Sequence, residues 1–412
     1  MSGAASKHFG KTVPLGSVVA INPNKVDRDF PYNEIDYIDI SSVGSGDLLQ
    51  TTRYLLKEAP GRAKRLVADG DTILSTVRPN RRSFLFVKDP KPWLVVSTGF
   101  AVLRPSSMLD SRFLYYTVTA QEFTDYLALR AKGAAYPAVD SETIANAEIS
   151  LPGLGTQRKI AAILSTYDEL IQNNTGRIKI LDELAHLVYN EWFVKFRLPG
   201  CEKTERVESE LGPIPNGWQV VRVEDIVKRV SAGKRYEDKT ASSNGSVPIL
   251  DQGKSGIIGY HDDKPGVVAS ENKPVIVFAN HTCYQRIIQF PFSAIQNVLP
   301  FLPHPERTRD IYWLHWATKD LVKFNDYKGH WPEFMSKQLL FPPADICSAF
   351  GRIVKPLVQH SFKLERKNVN LRATRDLLLS KLISGEIDVE NLDIVIPETM
   401  PLDEAAALTP TV

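Results

Sequence analysis

Between Thr156 and Phe196, apolar residues recur at alternating steps of four and three. The line runs Ile160, Leu164, Tyr167, Ile171, then Asn174, then Ile178, Leu181, Ala185, Val188 and Trp192. A 4-3 spacing held this long sets one side chain after another along a single line of a helix, the seam that two helices share in a coiled coil. Ile163, Leu170, Leu184 and Leu187 widen the apolar face, so this helix packs against more than one surface. At 1.5 Å per residue the stretch makes a rod of roughly 60 Å. Thr156, following the Pro152-Gly153 break, is the expected N-cap. An ordinary core helix is the bland alternative, but such helices seldom hold a strict heptad over so many turns.

Adding 190 to each seam position gives Phe350, Val354, Leu357, Ser361, Leu364, Asn368, Leu371, Arg375, Leu378 and Leu382, the same spacing with three polar intrusions. The segments ahead match as well. Leu114-Tyr115-Tyr116, Gly133-Ala-Ala-Tyr136-Pro137 and Leu151-Pro152 are echoed by Tyr312-Trp313-Leu314, Gly329-His-Trp331-Pro332 and Phe341-Pro342. The chain therefore reads as a tandem duplication of a globular unit followed by a long helix. Two copies are too few for a solenoid and suit a pseudo-two-fold molecule. Antiparallel helices in full overlap set Ile160 against Leu382, Ile171 against Leu371, Ile178 against Leu364 and Trp192 against Phe350. Tyr167 then faces Arg375, and Asn174 faces Asn368. An amide in a seam fixes register because slippage buries it against apolar side chains. Pro356 is expected to kink the second rod or to lie within its first turns.

The fold class this implies is α+β: two β-rich mixed domains joined by two long helices in an antiparallel coiled coil. Five segments are expected: residues 1–152, the first globular domain; 153–198, the first helix; 199–345, a linker and the second globular domain; 346–385, the second helix; and 386–412, an acidic tail. Residues 1–10 read as a loose tail, and 201–210 as a polar linker. In the first domain strands are expected at 37–40, 72–77, 83–87, 93–97 and 147–151, with a helix over 113–129. In the second they are expected at 247–250, 267–269, 275–279 and 287–290, with a helix over 311–324. Trp93 and Trp218 are taken as core. Hydrophobic content of 43% and charge of 24% belong to ordinary globular protein. Three well-separated cysteines, Cys201, Cys283 and Cys347, point to neither a zinc site nor a disulfide framework. No apolar leader and no run of 18 apolar residues is present, so a cytoplasmic protein without a membrane span is expected.

Catalytic signatures are missing. Ser231-Ala-Gly-Lys-Arg235 lacks the first glycine and the hydroxyl of a phosphate-binding loop, and Gly44-Ser-Gly46 opens no apolar helix. No Asn-Pro-Pro-aromatic or Asp-Pro-Pro-aromatic tetrapeptide, GxSxG or HExxH occurs. What remains is basic and aromatic. Arg53, Lys57, Arg62, Lys64, Arg65, Arg78, Arg81 and Arg82 crowd the middle of the first unit against only Glu58, Asp69 and Asp71. That is a footprint for phosphate backbone. Arg78, Asn80, Arg81 and Arg82 also have the types that meet guanine and adenine edges. The second unit offers Lys234-Arg235-Tyr236 and the run Asn280, His281, Thr282, Cys283, Tyr284, Gln285, Arg286. The Asn280 loop stands where the Arg78 loop stands, which suggests one scaffold reading two sequences. Lys132 and Tyr136, with Lys328, His330 and Trp331, complete the candidate DNA contacts. Tyr136 and Trp331, each before a proline, serve equally well as structural plugs.

Several stretches together resemble the specificity subunit of type I restriction-modification enzymes. They are Gln157-Arg-Lys-Ile-Ala-Ala-Ile-Leu-Ser-Thr-Tyr-Asp-Glu-Leu-Ile171 through Leu187-Val-Tyr-Asn-Glu-Trp192-Phe193, the opening Glu210-Leu-Gly-Pro-Ile-Pro-Asn-Gly-Trp218, the closing Leu378-Leu-Ser-Lys-Leu-Ile-Ser-Gly-Glu-Ile387 and the strand Tyr37-Ile-Asp-Ile-Ser41. The resemblance covers nearly the whole chain. It implies two target-recognition domains, each reading half of a split double-stranded DNA site, and two helices that set the spacing and dock two DNA methyltransferase subunits. Restriction subunits would add ATP-driven cleavage. Adenine methylation and cleavage, with S-adenosylmethionine, Mg and ATP, would then lie on partner chains. The first unit lacks the Pro-x-Gly-Trp opening, and Pro356 and Arg375 interrupt the second seam. Two other readings stand beside this one: a coiled-coil protein-binding adaptor, and a methyltransferase with its own recognition domain.

Overall fold

The computed structural model describes residues 10–199, 205–253, 256–307, 309–326 and 328–396. Nearly all of the expected N-terminal tail, the start of the linker with Cys201, and Glu398, Asp403 and Glu404 of the acidic tail lie outside the described residues. Two units form.

The first unit comprises residues 1–173 and 367–412. Its elements are β1 (Lys11–Pro14), β2 (Val19–Ile21), β3 (Glu34–Ile38), β4 (Thr52–Leu55), β5 (Ala63–Leu66), β6 (Thr72–Ser75), β7 (Phe84–Phe86), β8 (Leu94–Ser97), β9 (Phe100–Pro105), α1 (Ser111–Thr119), α2 (Gln121–Arg130), α3 (Ser141–Ala145), β10 (Glu148–Leu151) and the first part of α4 (Leu154–Tyr189). An antiparallel sheet runs β2-β9-β6-β7. A second runs β4-β3-β8-β5, with β3 and β8 parallel, and β1 pairs with β10. β6 is buried at every position and β9 at its first four, so neither shows the in–out alternation of a half-exposed strand. Asp110 caps α1 by accepting from the Arg112 and Phe113 amides at 3.0 Å. The helix expected over 113–129 is broken at Ala120, whose extended backbone separates α1 from α2.

α4 begins at Leu154, so Thr156 lies inside the helix and is not its cap. Gln157 anchors this end. Its buried amide accepts from the Asp110 N–H at 2.8 Å and donates to the carbonyls of Met108 and Pro152. Each partner is a backbone group that would otherwise be left unsatisfied.

The second unit comprises residues 174–366. After α4 and a π turn at Asn190–Val194 come β11 (Arg206–Val207), β12 (Ile214–Pro215), β13 (Gln219–Arg222), α5 (Val223–Ile226), β14 (Val227–Arg229), β15 (Val247–Leu250), β16 (Ile257–His261), β17 (Val275–Ala279), β18 (Gln285–Ile288), β19 (Ser293–Ala294), β20 (Val298–Pro303), α6 (Ile311–Thr318), α7 (Trp331–Ser336), β21 (Gln338–Phe341) and α8 (Ala344–Ile383). The sheet β14-β20-β17-β18 repeats the order of β2-β9-β6-β7. The sheet β16-β15-β19 repeats the centre of the other first-unit sheet, parallel pair included, and β13-β21 repeats β1-β10. Asp310 caps α6 as Asp110 caps α1. The expected helix over 311–324 stops at Thr318, and residues 267–269 form only an isolated bridge to Phe292. Trp218 is core, whereas Trp93 is half-buried and donates its indole N–H to Asp36 at 3.0 Å.

Within each unit the two long helices run antiparallel. In the first, Ile160 and Leu164 share a core with Leu379 and Leu382, and buried Asn368 donates to the Ile171 carbonyl at 3.4 Å. In the second, the Phe350 ring lies 6.2 Å from Trp192 and 5.2 Å from Phe193. The partner of Arg375 is not the expected Tyr167. It forms an ion pair with Asp168, which also accepts from the Tyr116 hydroxyl at 2.6 Å, because a carboxylate satisfies a half-buried guanidinium better than a ring does. α8 is continuous through Pro356, which sits well inside it and not in its first turns. The proline and Arg352, whose carbonyl loses its usual donor, are both exposed, so water is at hand for the orphaned acceptor.

Candidate nucleic-acid interface

The Arg78 loop joins β6 to β7, and the Asn280 loop joins β17 to β18, at the same place in matching sheets. In the first loop Arg78 (φ 49°) and Arg82 (φ 54°) flank a 3-10 turn, Pro79–Arg81, in left-handed backbone that large side chains seldom adopt. Surrounding bonds hold it there. The Arg78 N–H donates to Pro137 O at 2.6 Å, Val139 N–H to Thr76 O at 2.9 Å, and Ser75 N–H to Ser83 O at 2.8 Å. The side chain of Arg78 donates to Ala135 O at 2.9 Å and lies 4.5 Å from the centre of the Tyr136 ring. Arg82 donates to Thr119 O at 2.9 Å and to Gln121.

Two arginines of the loop are thus spent on its own frame. Asn80 and Arg81 stand exposed at its tip with no side-chain partner among the described residues. The other side of this frame is a narrow turn, residues 132–138, closed by reciprocal 2.9 Å bonds between Lys132 and Ala138. Lys132 and Tyr136 are exposed on it, Tyr136 at 70%.

The second unit builds the same meeting of two loops with other chemistry. The Asn280 carbonyl accepts from the His330 N–H at 2.9 Å, and its side-chain oxygen from the Trp331 N–H at 2.8 Å. His281 Nδ1 lies 2.8 Å from Lys328 O. Gln252 braces the loop from behind: its side-chain oxygen accepts from the His281 N–H at 2.8 Å, and its carbonyl from the Thr282 hydroxyl at 2.7 Å. Gly329 packs closely there: a Cβ would come within 2.9 Å of the Asn280 side-chain amide and push it aside. Thr282 and Lys328 are exposed, Lys328 beside Asp326 at 3.4 Å. His330 is fully buried, and Trp331 packs on Phe278, Phe301 and Phe334. Tyr284 and Arg286 are half-buried, with Arg286 turned toward Gly256 O at 3.5 Å.

The other candidates fall elsewhere. Tyr236 is buried, stacked on His261 at 4.2 Å, and donates to Asp263 at 2.9 Å. Lys234 also binds Asp263, at 2.8 Å; these two bonds hold the carboxyl below its usual range and raise the lysine. Arg235 is exposed. Arg53 lies on β4 and bonds Glu34 at 2.9 Å, whereas Arg62, Lys64 and Arg65 belong to β5 and the turn before it, on the opposite edge of that sheet. Arg62 and Lys64 are exposed. Arg65 is half-buried, burial lowers its pKa, and one guanidinium nitrogen is enclosed without a partner. The run of basic residues in the sequence is therefore divided between two edges of one sheet and a loop of another. Gln157, Asp168 and Gln252 gave no signal as bracing residues, because single polar side chains in a seam or a glycine-rich loop have no pattern. Among the described residues no helix is long and apolar enough to cross a membrane, and no cluster of three His, Cys, Asp or Glu side chains could hold a metal.

Similarity to known proteins agrees with this architecture. Residues 10–183 match the family described as type I restriction modification DNA specificity domain. Over 344 residues the chain is 27% identical to the type I restriction enzyme MjaIX specificity subunit of Methanocaldococcus jannaschii, covering 78% of each. It is 29% identical over 339 residues to the MjaVIII specificity subunit of the same organism, covering 74% of this chain and 76% of that one. The crystal structure of a type I restriction-modification S subunit from M. genitalium shares the fold, with a TM-score of 0.52 at 14% identity, over 93% of this chain and 98% of that one. These likenesses support a sequence-specific DNA-recognition subunit. Residues 10–183 carry the match to that family, and the relatives matched over about three quarters of this chain are named as type I restriction enzyme specificity subunits.

Proposed function

We propose that each unit reads one half of a bipartite DNA site through its pair of converging loops. The observation that carries this is the repetition: the same two loops meet in both units, with unlike residues at their tips. Asn80, Arg81, Lys132 and Tyr136 face DNA in the first unit, and Thr282, Lys328 and Arg235 in the second. Arg78, Arg82, Asn280, His281, Tyr236, His330 and Trp331 hold the loops in place. Arg62, Lys64 and Arg65 supply phosphate contacts from the edge of a separate sheet, with Arg53 as a weaker participant because Glu34 already neutralises it. The segments 1–152 and 199–345 act as target-recognition domains. The helical segments 153–198 and 346–385 set the distance between half-sites and dock two methyltransferase subunits in the cytoplasm. Restriction subunits join that assembly, with S-adenosylmethionine, Mg and ATP on the partner chains.

Methylome sequencing of a host carrying the chain with its modification subunits tests this. A split motif is expected, and Arg81→Ala with Asn80→Ala should relax one half only. A methylated motif unchanged by both substitutions would remove the first loop pair from the reading surface.

A further inference from the structure

We propose that Tyr136 is a stacking wedge: the open face of its ring inserts against a base step of the half-site read by the first unit and partly unstacks it. This rests on the reading of that unit as a DNA reader and adds how it deforms its target. Tyr136 is 70% exposed, so its ring is available to a partner, and a ring with one apolar body and one polar tip is a side chain that interfaces use. It is also not loose. The turn that carries it is closed by the Lys132–Ala138 bonds, tied to the Arg78 backbone through Pro137 O, and backed by the Arg78 guanidinium 4.5 Å from the ring centre. Arg78 is itself fixed by Ala135 O and by the 3-10 turn that follows it. One face of the ring is thus occupied by a positioned cation, and the other is open.

The chemistry around the ring selects the occupant. The two segments, residues 78–82 and 130–140, carry Arg78, Arg81, Arg82, Arg130 and Lys132 against one carboxylate, Asp140. Cations alone would meet any polyanion, but a rigid ring presented among them fits a polyanion that also offers flat faces. Duplex DNA does so at a step that opens, and pyrimidine–purine steps open most readily. The aromatic aligned with it by sequence, Trp331, packs against Phe278, Phe301 and Phe334, whereas the Tyr136 ring is 70% exposed and so plugs nothing in the first unit.

The test uses the full chain assembled with its modification subunits. The probe is a duplex bearing both half-sites as methylation mapping defines them, with 2-aminopurine at each adenine of the first half-site except the methylated one. Unstacking brightens 2-aminopurine. The wild-type complex should raise its fluorescence severalfold at one step, Tyr136→Phe should keep the rise, and Tyr136→Ala should abolish it and weaken binding about tenfold. Arg81→Ala should relax base preference and keep the rise at saturating protein. Specific binding by the wild type without any rise, or a rise that persists in Tyr136→Ala, overturns the wedge. Loss of the parent reading looks different: Asn80→Ala with Arg81→Ala would then leave the methylated motif unchanged.

Discussion

The two loop pairs solve one geometric problem in different ways. In the first unit the brace is a guanidinium: Arg78 binds the facing turn through Ala135 O and the Tyr136 ring, and the ring stays outside. In the second the brace is an amide: Asn280 binds the backbone of His330 and Trp331, and the indole lies half-buried against the core. The exposed ring near that second turn is instead Phe324, at 58%. The cationic brace holds its facing turn with the ring exposed; the amide brace holds its turn with the aromatic half-buried against the core. Loop position is therefore shared between the units, while brace and presented side chains vary independently.

The largest consequence concerns the aromatic-proline pairs. Trp331→Ala should cost about 2–3 kcal/mol, below the full cost of removing a fully buried aromatic because the indole is half-buried. Tyr136→Ala, at the aligned position, should stay within about 0.5 kcal/mol because an exposed side chain leaves no cavity. Denaturant unfolding of the full chain, followed by tryptophan fluorescence and by circular dichroism, separates the two. Equal losses would mean that the units do not differ in this way.

Acid should separate the units next. His315, on α6, is fully enclosed, and burial pushes its pKa down to about 3, with Lys319 adding to the shift. Gln285 lies against its ring at 3.2 Å. Counting from the capping aspartates, the matching position on α1 is Tyr115, which takes up no proton in this range. Between an unfolded value near 6.5 and the folded value the unfolded chain binds the extra proton, so stability rises with pH there. The second unit should be at full stability above pH 6.5 and lose up to about 1.4 kcal/mol for each unit below it. Hydrogen exchange resolved by unit, at pH 7 and pH 5.5, should show the second loosening first, and His315→Gln should flatten the difference.

Much of this architecture was legible in the residues alone. A heptad repeat is a statement about one helix face, and it placed two long helices, the antiparallel neighbours Trp192 and Phe350, and Ile160 and Leu382 in one core. The duplication was legible because turn and strand residues recur in order. Side-chain role was not. Arg78 and Arg81 are the same residue three apart, yet one braces and the other is free, because a left-handed backbone turns Arg78 toward Pro137, far away in sequence. Tyr236 and His330 looked like contacts because they neighbour lysine or glycine, and both are buried by partners that no local pattern names. The short α2 had no counterpart to find in the second unit, where the chain after Thr318 is irregular.

Base readout should follow the exposed tips. Arg81→Ala should lose about 1–3 kcal/mol of discrimination at one base pair of the first half-site, the range for a good bidentate contact. Folding stability and recognition of the second half-site should be unchanged. Thr282→Ala should do the converse with a smaller effect, since its hydroxyl proton already goes to the Gln252 carbonyl and only the oxygen's lone pairs remain for a base. Methylation assays on a panel of single-base variants measure both. Loss at both half-sites from either substitution would break the independence of the units.

The smallest effect should come from the edge strand. Lys64 is exposed on β5, has no acidic partner among the described residues, and lies on a different sheet from the Arg78 loop. A lysine so placed meets phosphate as a point charge and carries no base information. Neutralising it as Lys64→Ala should weaken binding to specific and non-specific DNA alike. It should also reduce the slope of log affinity against log salt by about 1, as expected when one phosphate is no longer neutralised and its counterion stays bound. Arg53→Ala is the internal control: its guanidinium already bonds Glu34 at 2.9 Å, so removing it should change the slope less. A titration of the assembled complex across a salt series resolves the two. If Lys64→Ala changed sequence preference while leaving the slope intact, the edge strand would be a reader and the division between reading loops and backbone-tracking strands would fall.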